Sequence, residues 1–357
     1  MGASPATLSA ARRTHILAEL AQQGSVRAAD LTRDLKVSPL TIRRDLEQME
    51  EEGLLDRVRG GAMSRETPSP AASPLDRTFG VLVPSVLYYW PTVVQGMEAR
   101  ATASSTRIVL TGSSYGASDE RPFLESLLNS TPVAGLILAP RADGPHSGDL
   151  LAWLAENKLP FVLVEREATL DHAGHLAESV TSDRALGVRL AVRHLMDLGH
   201  HKLGLVLSQL SPLSSRLQAE WDHAQQEMGF SGPVWPISES RADGFPDVVD
   251  QILDNISEQA VSAILVHSDP EALAIVQHAQ ARGLSVPEDL SVISYDDEVA
   301  SLYSPGLTAI RSPKAAIGAT AVDLLNARLD DPSRPVHRVI LSPDLIIRES
   351  TTSPKAI

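Results

Sequence analysis

From Phe79 onward the chain repeats one pattern: a short, continuous apolar run of β-type residues followed by a longer stretch of helical periodicity. The runs are FGVLVP (79–84), RIVLT (107–111), GLILAP (135–140), FVLVE (161–165), KLGLVLS (202–208), SAILVHS (262–268) and LSVISYDD (290–297). Runs without polar alternation suit strands buried on both faces, and parallel strands joined by helical crossovers are the arrangement that buries both. The body is therefore expected to be an α/β structure with parallel, doubly wound sheets. Roughly 280 residues is large for one open sheet, so two similar lobes are expected rather than one.

The pattern has a clear upstream limit. SRETPSPAASPL (64–75) carries three prolines and no apolar periodicity, which marks an extended linker. It separates a small head, residues 1–63, from the body, residues 78–357, with the linker spanning 64–77. The net charge of −14 is misleading until divided between them. Residues 1–63 hold nine Lys/Arg and nine Asp/Glu, so the whole excess of acid lies downstream and says nothing against nucleic-acid binding by the head.

The chain has no cysteine, which excludes disulfides, thiolate metal sites and cysteine nucleophiles. No run approaches the roughly 18 apolar residues of a membrane span, and no signal-peptide core opens the chain, so a cytoplasmic location without membrane association is expected.

In the head, Ile16, Leu17 and Leu20 sit at helical spacing within 14–24, and Ala29, Leu31 and Leu35 mark a second apolar face. Ser38 is suited to cap a third helix and Pro39 to its first position. That helix should run to about Glu52, ending at Gly53, with Leu40, Ile42, Leu46 and Met49 as its stripe. Helix, short turn and helix make a helix-turn-helix whose second helix offers its first residues to the major groove. Those residues are Ser38, Leu40, Thr41, Arg43 and Arg44. LLDRVRGGAM (54–63) reads as a hairpin wing with Arg57 and Arg59 near its tip, able to touch phosphate, and Gly60-Gly61 allowing the tight turn. The bland alternative is a solvated face in which Asp45 and Glu47 balance Arg43 and Arg44.

These residues closely resemble the winged helix-turn-helix of DeoR-type regulators. The arginines before IL (Arg12, Arg13, Ile16, Leu17), the VS-x-x-TIRRDL segment (37–46) and GLLDRVRGGA (53–62) carry the match. The resemblance implies sequence-specific binding of double-stranded operator DNA. A head with no net charge then implies that affinity comes from dimerisation and a few directed contacts rather than from a broad field.

The body holds no convincing catalytic constellation, and no catalytic, metal or cofactor residues are assigned. Gly112-Ser113-Ser114-Tyr115-Gly116 fits the G-x-S-x-G of a hydrolase elbow, but GASDERP follows where a helix should start, and no histidine is placed as base. A serine hydrolase remains the alternative from another class, as does a sugar-binding module without a regulatory role. The histidines, including His172, His175, His194, His200 and His201, lack carboxylates on a shared helical face and do not read as a zinc site. There is no Walker A loop and no G-x-G-x-x-G after the first strand.

The segments 79–90, VTSDRALGVRLAVRHLMDLGHHKLGLV (180–206), GLSVPEDLSVISYDD (283–297) and LSPDLIIRES (341–350) resemble the sensor domains of LacI/GalR-type regulators. The resemblance implies the periplasmic-binding-protein fold: two lobes, three crossover strands and a ligand cleft between them. One lobe would comprise about 78–181 and 311–335, the other about 182–310 and 336–357. It also implies a repressor, acting as a homodimer, whose operator binding responds to a sugar or related polyol.

The ligand residues implied by the match are Tyr88, Tyr89 and Trp90 after the first strand and Ser113 and Ser114 after the second. Glu165-Arg166 stands where the family has Asp-Arg, and Ser268-Asp269 where it has Asn-Asp. Asp296 is the expected polar anchor, with helix capping as its alternative role. The rings suit the C–H faces of a sugar but equally suit lobe packing, and Glu165-Arg166 could be a solvated pair. Two features depart from the family. Arg216 lies one residue before the expected arginine position, which is Leu217 ahead of Glu220-Trp221. The proline-rich linker does not suit the family's short hinge helix, so lobe closure that changes head spacing is expected instead.

Overall fold

The structure, a computed structural model, describes residues 12, 13, 16, 25–35, 37–51, 55–58, 60–64, 77–113, 117, 119–140, 147–169, 176–209, 211–238 and 244–355. The chain divides into two compact units, Met1–Ser73 and Pro74–Ile357, with the division inside the expected linker. Most of the expected first helix, and linker positions 65–76, lie outside the described residues.

In the head, β1 (Ser25–Arg27) leads into α1 (Ala28–Asp34), then α2 (Pro39–Glu51), β2 (Leu55–Val58) and β3 (Gly61–Ser64). Ser38 caps α2 as expected: its Oγ accepts from the Thr41 N–H at 3.2 Å. The strands form a three-stranded antiparallel sheet in the order β1-β3-β2. Gly60, with φ 94°, makes the turn at the tip, a conformation open to glycine at little cost. Ile16, Leu31, Ile42, Leu46, Met49 and Leu55 close one small core. Leu40 departs from expectation, being 63% exposed. Ile42, Leu46 and Met49 follow i, i+4, i+7, and Leu40, two residues before Ile42, falls on the opposite face.

The body follows as β4 (Arg77–Val83), α3 (Trp90–Ala103), β5 (Thr106–Gly112), α4 (Arg121–Ser130), β6 (Gly135–Leu138), α5 (Ser147–Asn157), β7 (Phe161–Val164) and β8 (Ser179–Ser182). It continues with α6 (Arg184–Asp197), β9 (Leu203–Ser208), α7 (Ser214–Met228), β10 (Val234–Ile237), α8 (Phe245–Glu258), β11 (Ala263–His267), α9 (Asp269–Ala281) and β12 (Ser291–Tyr295). After β13 (Thr308–Arg311), α10 (Lys314–Asp330), β14 (Arg338–Leu341) and β15 (Asp344–Ile346) complete it.

Two six-stranded sheets result, ordered β14-β8-β7-β6-β4-β5 and β10-β9-β11-β12-β13-β15. Both are parallel except that β15 runs antiparallel to β13 at an edge. Each sheet is covered on both faces. The first packs α3 and α10 on one side, through Val93, Met97, Ile317 and Leu325, and α4 and α5 on the other, through Leu124, Leu127, Leu150 and Leu154. The second packs α8 and α9 on one side and α6 and α7 on the other, the latter through Val188, Leu195, Leu217 and Trp221. Side chains removed from water this fully contribute about 1.5–3 kcal/mol each, which explains why the apolar runs are continuous.

The chain passes between sheets three times. The first two passages are β8 to α6 and β13 to α10. The third lies at 341–344 and not near 335, because β14 pairs in parallel with β8 and so extends the first sheet. Its apolar run, Val339 to Leu341, is only three residues long and lies half-exposed at a sheet edge.

Candidate functional site

The exposed surface of α2 begins at its N-terminus. Leu40, Arg43 and Arg44 project to solvent, and Ser38 and Thr41 share a 2.8 Å hydrogen bond between their hydroxyls. Arg43 pairs with Glu47 one turn on, Nε to Oε1 at 3.2 Å. Arg57 of β2 also reaches Glu47, at 3.1 Å, and its N–H donates to Glu50 at 3.1 Å. Arg57 thus ties the hairpin to α2, where the sequence suggested a free tip. Arg44 has no acidic partner among the described residues. Arg12 grips the buried Asp45 through two hydrogen bonds at 2.8 and 3.2 Å, which removes Asp45 from any balance with Arg44. Arg59 lies outside the described residues.

In the body, the C-terminal ends of strands from both sheets bring polar groups together, as open parallel sheets do where their strand order reverses. Glu165, one residue past β7, is 1% exposed with φ 55°. Its carboxylate accepts from Tyr89 Oη at 2.6 Å, from Ser182 N–H and Oγ, and from Arg184 at 2.7 Å. Arg166 is equally buried and donates to the carbonyls of Pro140 and Glu165 at 2.7 and 2.8 Å. The pair is therefore no solvated surface pair, and the ionic partner of Glu165 is Arg184, which the sequence reading did not single out.

The three adjacent rings have three separate fates. Trp90 opens α3 and is 2% exposed within the first-sheet core, with the Arg166 guanidinium 6.0 Å from its ring centre. Tyr89 stands edge-on to it at 5.5 Å and lies 5.4 Å from the Lys314 ammonium. Tyr88, with φ 58°, crosses to the second sheet, where its Oη accepts from the Asp269 N–H at 3.2 Å. Burial, then the charges of Asp296 and Asp269, raise the Tyr88 hydroxyl's pKa far above its ordinary value, so it stays protonated.

Asp269, expected to face ligand, turns into its own lobe. Oδ1 accepts from Ser294 Oγ, while Oδ2 accepts from the N–H groups of Glu298 and Val299 at 2.7 and 2.9 Å. Ser268 is likewise engaged, forming a reciprocal capping box with Glu271 at the start of α9. Arg216 pairs with Glu167 across the two lobes at 2.8 Å, and Arg338 holds the other oxygen of Glu167. Leu217 and Trp221 are buried in the second-sheet core, Trp221 edge-on to Phe230 at 4.9 Å, so neither lines a cleft.

Ser113 donates to Glu120 Oε1 at 2.7 Å, and no histidine bonds it among the described residues. The helix after it begins only at Arg121. Ser114 lies outside the described residues.

Asp296, one residue past β12, has φ 104° and is 7% exposed. Lys314 donates to its carbonyl and pairs with Glu298 at 2.6 Å. Burial first, and then Asp269, push the Asp296 carboxyl up to about 8, with Lys314 opposing and Glu298 and Glu165 reinforcing. The folded chain thus holds this proton through the range where the unfolded chain, at the ordinary 3.8, has lost it. The native state binds more protons between these limits, so stability should fall as pH rises from about 4 to about 8. Asp296→Asn, which resembles the protonated carboxyl, should flatten that fall. Urea unfolding at several pH values checks it, and an unchanged slope in the variant would refute the assignment.

Among the described residues no group of three or more His, Asp or Glu could hold a metal ion, and no helix is long and apolar enough to cross a membrane. Arg184 and Lys314, which hold the Glu165 carboxylate and the Asp296 carbonyl, and His267 and Tyr295 at the ends of β11 and β12, were not singled out from the sequence. Arg184 and Tyr295 lay inside segments whose family match was noted, but nothing local distinguishes a buried arginine from a surface one.

Residues 12–67 match the DeoR-like helix-turn-helix domain, and residues 192–351 the periplasmic binding protein-like domain. The chain is 30% identical over 299 residues to the ribose operon repressor of Haemophilus influenzae, covering 81% of this chain and 86% of that protein. It is 25% identical over 338 residues to the arabinose metabolism transcriptional repressor of Geobacillus stearothermophilus, covering 90% of each. A LacI family regulator from Enterococcus faecium, solved with bound ribose, superposes with a TM-score of 0.64 at 23% identity, over 78% of this chain and 99% of that one. The chain belongs to the LacI family of DNA-binding transcriptional repressors and carries a DeoR-like helix-turn-helix at its N-terminus.

Proposed function

We propose that this repressor binds a pseudo-palindromic operator as a homodimer in the cytoplasm, through α2 and the wing of each head. A sugar or related polyol in the body's cleft changes that affinity. The observation that carries the effector reading is the convergence of Tyr88, Glu165, Arg184 and Asp296 from the strand ends of both sheets. Two relatives are named a ribose operon repressor and an arabinose metabolism transcriptional repressor, which fits a hydroxyl-rich ligand for such a set.

Head residues Ser38, Leu40, Thr41, Arg43 and Arg44 form the DNA surface, with Arg57 bracing it. Effector acts by binding the DNA-competent and DNA-free states differently, so either sign of response is thermodynamically allowed. The test is to select operator DNA from random duplexes with the full-length chain, then titrate that duplex with and without D-ribose, L-arabinose, D-galactose and glycerol. One of them should change the DNA affinity by about 5–150-fold. Firm DNA binding that none of them alters would remove the sugar half of the proposal and leave the DNA-binding half.

A further inference from the structure

Three buried polar atoms of the body lack any hydrogen-bond partner at one place: Arg184 Nε, His267 Nδ1 and Tyr295 Oη. Their side chains are more than nine-tenths buried. A buried polar group without a partner forfeits its hydrogen bonds to water, so three together are not a neutral detail of packing. Neighbouring strand ends account for two of them. β11 and β12 pair in parallel with Val266 opposite Ser294, which sets His267 and Tyr295 side by side, rings 5.9 Å apart and 66° inclined. Arg184 opens α6, and Gly187, one turn on, leaves the space that the tyrosine hydroxyl fills. A Cβ there would stand 2.6 Å from Tyr295 Oη.

The chemistry offered at this floor is specific. Arg184 is already neutralised by Glu165 at 2.7 Å, leaving Nε as a donor without charge to spare. Burial, with the nearby Arg184 charge, lowers the His267 imidazole to about 4, so it is neutral near pH 7. Tyr295 is held protonated by burial and by Asp296 and both donates and accepts. A hydroxyl likewise does both. An anion offers acceptors alone and would enter beside the Glu165 and Asp269 carboxylates.

We infer that Arg184, His267 and Tyr295 are the floor on which the effector is recognised, and that they select an uncharged compound with adjacent hydroxyls over its phosphorylated counterpart. This rests on the cleft reading above. The bridges Arg216–Glu167 and Tyr88–Asp269 join the two lobes, so the effector enters as they part.

The experiment is thermal melting of the full-length chain and of its Tyr295→Phe and His267→Leu variants. Each is measured alone and with D-ribose, L-arabinose, D-galactose, D-ribose 5-phosphate and D-galactose 6-phosphate. Without sugar, Tyr295→Phe should melt no lower than the parent, since the lost hydroxyl had no partner; a clearly lower midpoint would show a structural role and overturn the inference. With sugar, an uncharged compound should raise the parent's midpoint, its phosphate should not, and both variants should need about tenfold more of it. A shift with phosphates alone, or equal shifts in parent and variants, would overturn the floor while leaving a cleft that binds sugars. If none of the five shifts the parent, the sugar reading itself falls, and this inference with it.

Discussion

Arg44→Ala is expected to weaken operator binding of the full-length chain by about 5–150-fold per half-site, corresponding to the roughly 1–3 kcal/mol of one well-placed arginine contact. The reason is its isolation. Arg43 and Arg57 both lean on Glu47, whereas Arg44 projects from the second turn of α2 with no acidic partner among the described residues. Its charge is therefore available to DNA without first breaking an ion pair. Arg43→Ala should cost less, since DNA must already compete with Glu47 for it. Anisotropy titrations on the selected duplex at two salt concentrations also separate the kinds of contact. Loss of a phosphate contact lowers the salt slope by about one, whereas loss of a base contact relaxes sequence preference at one position. Undiminished affinity in a folded Arg44→Ala chain would place the recognition surface elsewhere.

The second large effect falls on stability. Asp269→Ala should destabilise the body by about 3–5 kcal/mol, because it leaves the N–H groups of Glu298 and Val299 and the hydroxyl of Ser294 without their common acceptor in a fully buried place. Asp269→Asn should not rescue it. One oxygen becomes an amide nitrogen, and either it faces two N–H donors or the flipped amide presents its donors to Ser294 while losing the charge that strengthens all three bonds. Ser294→Ala, which removes one donor and leaves the two backbone bonds, should cost about 1 kcal/mol. Urea unfolding of the three variants gives the order. Near-parent stability for Asp269→Ala would mean that the carboxylate is held for ligand after all.

The doubly wound body was legible because its central strands are continuous apolar runs, and the head because capping, turn glycines and helical spacing act over a few residues. The strands that escaped, β1, β8, β10, β13, β14 and β15, are short. SVTS reads as polar yet is fully buried in β8, and VWPI carries a proline at the edge of its sheet. Such segments become strands because a neighbouring strand supplies their hydrogen bonds, which is a property of the partner more than of the segment.

The candidate site divides in the same way. Tyr88, Glu165 and Asp296 could be named from the family resemblance, and Asp296 also from its place at the C-terminal end of a parallel strand, which points to the cleft wherever the sheet lies. What could not be named was the company each keeps: Glu165 with Arg184, Asp269 with the loop at Glu298, Arg57 with α2, and Trp90 with the core. The sequence by itself determined the helices and wing of the head and the alternation of central strands with helices in the body, because periodicity, capping and turns are interactions between near neighbours in the chain. Only the tertiary structure decided which charges are spent on each other and which polar atoms are left over, because an ion pair or hydrogen bond depends on distances of a few ångströms between residues far apart in sequence.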